Sequence, residues 1–107
     1  MDNSEAEKAK LLFIAGIIDY EPDTIVRKTT GTIHVAAFDK GQEYHEKITM
    51  FGTFVQVIDG KALIIKNGIS NIIETGHSII LPAHSNVTFI AKERFKMIST
   101  FINSGNE

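Results

Sequence analysis

The chain has 107 residues, 43% of them apolar and 22% charged, which suits one globular domain and leaves no room for a second core. Its 11 basic and 13 acidic residues give a net charge of -2, with no basic run of the kind a phosphate backbone requires, so nucleic acid is not an expected partner. It contains no cysteine, hence no disulfide framework and no thiolate nucleophile or metal ligand, a composition that fits a reducing cytoplasm.

The first ten residues, MDNSEAEKAK, are polar and charged. They read as a flexible segment 1–10, with a short helical turn over residues 6–12 as the alternative. The apolar run at 11–18 falls far short of the roughly 20 residues a membrane span needs, so no membrane partner is expected. The acidic segment 19–23 follows where a secretory signal would place small residues for cleavage, which argues against export.

Beyond residue 20, turn signals recur at short intervals: Lys40-Gly41, Asp59-Gly60, Asn67-Gly68, Thr75-Gly76 and the stretch 82–86. Such punctuation between β-branched runs predicts a sandwich or barrel. Asp59-Gly60 sits between FVQVI and KALII, and Asn67-Gly68 between ALIIK and ISNII. Both are expected to form two-residue hairpin turns, because Asn or Asp followed by Gly tolerates positive φ. Residues 78–81, stopped by Pro82, then 87–91 and 95–102 read as further strands. The last also matches a helical stripe of Phe95, Ile98 and Ile102. Strand is preferred, because alternation sets Phe95, Met97 and Phe101 on one face and Ile98, Thr100 and Ile102 are β-branched.

Gly76, the residues HSIIL and then Pro82 match the frame G(X)5PXG(X)2H(X)3N, the second motif of the cupins. FVQVIDG resembles the strand and turn that close the first motif, G(X)5HXH(X)3-4E(X)6G. With GTIHVAAFDKGQ before it and AKERFKM after it, the likeness spans roughly residues 12–102. The chain thus resembles a small single-domain bacterial cupin of the RmlC-like, cupin 2 type. That resemblance implies an all-β, double-stranded β-helix, the cupin jelly roll barrel, over residues 11–103, with 104–107 as a flexible tail.

Cupins hold a divalent metal with the two histidines and the glutamate of the first motif and the histidine of the second. In that frame His45 takes the place of the first histidine, Lys47 the second, Thr53 the glutamate and Val87 the last histidine. His84 and Ala91 stand where the second motif has its glycine and asparagine. One ligand of four remains, whereas a stable site needs at least about three. No metal, and no other cofactor, is expected.

On an extended strand Glu43, His45, Lys47 and Thr49 face one way, while Tyr44, Glu46, Ile48 and Met50 face the other. Periodicity alone sends Tyr44, Ile48 and Met50 inward. The family resemblance instead sends His45 and Lys47 into the barrel mouth, giving a pocket of His45, Lys47, Thr53 and Val87 with His84 at its rim. Lys47 there would favour a small polar or anionic molecule. The leading expectation is therefore a non-catalytic, metal-free binding module, cytoplasmic and homodimeric. The alternatives are a cupin-type enzyme (isomerase, epimerase, dioxygenase or decarboxylase class) using His45 and Lys47 as an acid–base pair, or a structural dimer whose barrel is filled by side chains. His34 reads as a packed histidine and His77 as an exposed turn residue. Gln56, with Phe54 and Ile58, reads as a partner-facing surface.

Overall fold

A computed structural model describes residues 16, 18–22, 24–30, 33–48 and 51–102. The segment 1–10 and the tail 104–107 lie outside the described residues. Eight strands follow in chain order: β1 (Val26–Thr30), β2 (Ile33–Phe38), β3 (Glu43–Lys47), β4 (Gly52–Lys66), β5 (Ile69–Glu74), β6 (Ser78–Leu81), β7 (Asn86–Ile90) and β8 (Phe95–Ile102). Every pairing is antiparallel, in the order β1-β2-β8-β4-β7-β3, with β5 and β6 also on β4. None of the described residues is helical, and so no helix among them is long and apolar enough to cross a membrane.

The sheet curls into a half-barrel because β4, with 15 residues, belongs to both of its halves. Residues 52–60 of β4 pair with β6 and β8, while residues 61–66 pair with β5 and β7. The crossing falls at Asp59-Gly60, which forms no hairpin turn: β4 continues through it as one strand. Only Gly60 takes positive φ there, at 87°. A type I′ turn needs positive φ at both central residues, whereas a single such glycine beside an extra residue makes a bulge that bends a strand. The extra residue is Ile58, since Val57 pairs with Met97 and Asp59 with Lys96. At Asn67-Gly68 both residues do have positive φ, 49° and 84°, and the expected hairpin joins β4 to β5.

Strand alternation yields two apolar layers. Inside the curl, Phe38, Val55, Ile64, Leu81, Phe89 and Phe95 are fully buried, with the Phe38 and Phe95 rings stacked at 4.5 Å. On the outer side Val35, Ala37, Ile58 and Ile98 form a second cluster, covered by Ile18. The Tyr20 ring lies against the Arg94 guanidinium and the Lys96 ammonium, and its hydroxyl donates to Asp59 Oδ2 at 2.6 Å. Lys96 Nζ donates to the Ile18 carbonyl at 2.9 Å. Ile58 is thus buried under the chain's own segment 18–20, while Phe54 and Gln56 beside it stay half-buried. Residues 95–102 are a strand throughout, and His77 is exposed as expected.

Candidate ligand-binding site

One face of each strand looks into the curl, and at one end the inward side chains do not fill it. They leave a cavity of about 360 Å³. Its floor is buried and apolar, made by Phe38 of β2, Leu81 of β6, Phe89 of β7, Met97 of β8 and Ile48 just past β3. Its mouth lies between the two end strands of the sheet. Arg27 and Thr29 come from β1, and Tyr44 and Glu46 from β3. The Arg27 guanidinium rests on the Tyr44 ring, 4.0 Å from its centroid, and so bridges these two strands.

Three polar side chains reach the cavity from the walls. His34 of β2 has its Nδ1 3.1 Å from Thr29 Oγ1, and its ring tilts against Phe101 at 5.2 Å. With Nδ1 engaged by the threonine, Nε2 has no hydrogen bond to any described residue. Ser99 of β8 stands opposite His34 in the ladder. Thr53 of β4 is 7% exposed, lines the cavity, and its hydroxyl forms no hydrogen bond with any described residue. A buried hydroxyl without a partner is costly, by about 1–3 kcal/mol.

The expected site residues are divided by this geometry. Thr53 lines the cavity. His45 and Lys47 do not: they lie on the opposite face of β3, which corrects the placement taken from the family frame. The His45 side chain is 73% exposed, with Nδ1 2.9 Å from Thr88 Oγ1 and Nε2 3.8 Å from the Glu43 carboxylate. The physical reason is burial. Tyr44 packs against Phe89, and Ile48 is 3% exposed, so the alternate set of β3 must face water. Val87 is packed in the core beside the site, directly across from Glu46 in the ladder. His84 is exposed on the loop after Pro82, with φ of +67°, and is no part of the cavity lining.

The β3 placement also shifts the motif frame by one residue. Counting back from Thr53 through the three to four intervening residues puts the two histidine positions at 46 and 48 or at 47 and 49. Among the described residues at these positions, Glu46 and Ile48 line the cavity and Lys47 does not. In the shifted frame, the positions that the motif resemblance compares with cupin metal ligands carry Glu46, Ile48, Thr53 and Val87. A lone carboxylate at the mouth, a hydroxyl and two hydrocarbon side chains do not make a donor set for a divalent ion. Nor does any group of three or more His, Asp or Glu side chains gather elsewhere among the described residues.

Sequence reasoning missed Arg27, His34, Tyr44 and Glu46 as site residues. For His34, Tyr44 and Glu46 the signal was the two-residue period of TIHVAAF and EYHEKI, in which whichever face buries the apolar members carries the polar ones with it; Arg27 had no such signal.

No protein-family model matches the sequence, and no curated protein matches it. Solved structures do. A cupin 2 conserved barrel domain protein from Leptotrichia buccalis is 26% identical with a TM-score of 0.76, over 83% of this chain and 46% of that one. A protein of unknown function from Streptococcus pyogenes is 22% identical with a TM-score of 0.75, over 83% of this chain and 82% of the other. A cupin superfamily protein from Desulfitobacterium hafniense is 21% identical with a TM-score of 0.73, over 84% and 88% of the two chains. This chain has the fold of the cupin 2, RmlC-like cupin proteins.

Proposed function

We propose that the half-barrel binds a small organic anion directly, without a metal ion and without catalysing a reaction on it. The observation that carries this reading is the Thr53 hydroxyl, buried and unpartnered among the described residues, at the side of a cavity with an apolar floor and an arginine at its mouth. Apolar lining with a few converging polar groups is the usual make-up of a small-molecule pocket, and 360 Å³ is near the small end of that range. The enzyme reading through His45 and Lys47 loses its support, because neither reaches the cavity. The filled-barrel reading loses support to the cavity itself.

A homodimer remains part of the proposal. Ile72, 64% exposed, heads an apolar row with Leu63 and Ile90 across the outside of β5, β4 and β7, and rows of this kind are commonly covered by another subunit. Sedimentation velocity of the wild type and of Ile72→Lys checks it, with dissociation expected in the variant.

The binding test is a thermal-shift panel of small carboxylates, each beside its neutral amide, on the wild type and on Ala36→Phe, which places a ring in the cavity. Carboxylates should raise Tm in the wild type only. Absence of a shift from every carboxylate, or the same shift in Ala36→Phe, removes the reading. Near-stoichiometric metal that resists chelation, found by elemental analysis, removes its metal-free part.

A further inference from the structure

Three charged residues border the cavity, and alternation turns one of them, Lys28, outward with its register partner Val35; the other two, Arg27 and Glu46, are of opposite charge and form no ion pair with each other. Arg27 belongs to β1 and Glu46 to β3, both line the cavity, and both are exposed enough to stay hydrated. Alternation supports their direction. Arg27 pairs in register with Ala36 and Glu46 with Val87, and both partners sit on the inner face. Neither forms an ion pair with any described residue, and the Arg27 guanidinium lies over the face of Tyr44. A carboxylate on its own would satisfy Arg27 and His34 but would approach Glu46 with like charge. An ammonium on its own would satisfy Glu46 and approach Arg27. A molecule that carries both groups meets each charge with its opposite, and electrostatic complementarity of this sort selects among ligands as much as it tightens them.

Resting on the anion-binding reading above, we propose that the ligand is a small zwitterion: an amino acid with a large apolar side chain. Its carboxylate lies at Arg27 and His34 Nε2, and its ammonium at Glu46. Its hydrocarbon side chain occupies the apolar floor of Phe38, Phe89 and Met97. Arg27 already lies over the Tyr44 ring, 4.0 Å from its centroid, before the ligand arrives, so less side-chain freedom is lost on binding.

The test is isothermal titration of the full chain with three probes that share one hydrocarbon body: L-phenylalanine, 3-phenylpropanoate and 2-phenylethylamine. Phenylalanine should bind about tenfold or more tighter than either single-charge probe, the scale of one charge-assisted hydrogen bond at a partly hydrated site. Glu46→Gln should bring phenylalanine down to the level of 3-phenylpropanoate. Arg27→Gln should bring it down to the level of 2-phenylethylamine. If 3-phenylpropanoate binds the wild type as tightly as phenylalanine, the zwitterion assignment is overturned while anion binding stands. If none of the three binds but other carboxylates in the thermal-shift panel do, the outcome is the same. Failure of every carboxylate in both experiments overturns both.

Discussion

Gly60 and Gly68 form a matched pair, because they share a backbone conformation and differ in what surrounds them. Their φ angles are +87° and +84°. A Cβ on Gly68 meets nothing within 4 Å, whereas on Gly60 it would stand 2.1 Å from the Arg94 carbonyl oxygen and 2.9 Å from Phe95 Cα. In Gly68→Ala only the left-handed backbone acts, at about 1–2 kcal/mol, offset by up to about 1 kcal/mol through the stiffer unfolded chain. In Gly60→Ala the same terms apply, and in addition β4 and β8 must part. Reaching an ordinary contact of 3.4 Å from 2.1 Å takes 1.3 Å, and the atoms in the way are backbone rather than a flexible side chain. Overpacking shifts of that kind add about 1–3 kcal/mol. Gly60→Ala should therefore cost about 2–4 kcal/mol and Gly68→Ala about 1 kcal/mol, against a typical total of about 5–15 kcal/mol. Urea denaturation followed by circular dichroism measures both. At the usual slope of about 1–3 kcal/mol/M the midpoint of Gly60→Ala should fall by about 1 M or more. Equal midpoints for the two variants would refute the close approach of β4 to β8 at the crossing, and with it the account of why the sheet curls there.

Other expectations follow from single residues. His84 holds φ of +67° on an exposed loop, so His84→Gly should stabilise the chain by about 0.5–1 kcal/mol, read from the same denaturation curves; a loss of stability would assign the side chain a contact. Phe38→Ala removes a ring stacked on Phe95 from the inner core and should cost about 3–5 kcal/mol by the same assay, less if the neighbouring cavity can collapse into the space. Burial and the hydrogen bond to Asp59 push the Tyr20 phenol well above the ordinary tyrosine value of about 10. The folded state thus favours the protonated phenol, and that stabilisation is complete below pH 10 and declines as pH rises past it. Tyr20→Phe should flatten the fall in stability between about pH 10 and 12; an unchanged slope would place the titration elsewhere. His45→Ala with Lys47→Ala should leave ligand binding in the cavity unchanged in calorimetry, because both residues lie on the far face of β3.

Much of the strand layout was legible because its cues are local. Pro82 cannot continue a ladder and ends β6 after Leu81. Asn67-Gly68 can adopt positive φ at two successive residues and turns β4 into β5. The alternation of Phe95, Met97 and Phe101 outweighed a competing helical stripe, since in a sheet β-branched neighbours pack well on the pleated surface. The Gly76 to Pro82 spacing carried the family frame, and with it the cupin fold.

What the sequence by itself determined, then, was the all-β class and most strand positions. Tertiary structure alone decided two things. Asp59-Gly60 has the composition of a hairpin turn, yet it became the bend of a continuous strand, because β8 on one side and β5 and β7 on the other supply partners that a hairpin would forgo. The polarity of β3 was decided in the same way. Its sequence allows either face inward, and the choice of Tyr44, Glu46 and Ile48 over His45 and Lys47 was made by Phe89, which offers a ring to pack against on one side of the sheet only. A strand of period two has just two faces, so that one contact moved the whole site from one set of residues to the other.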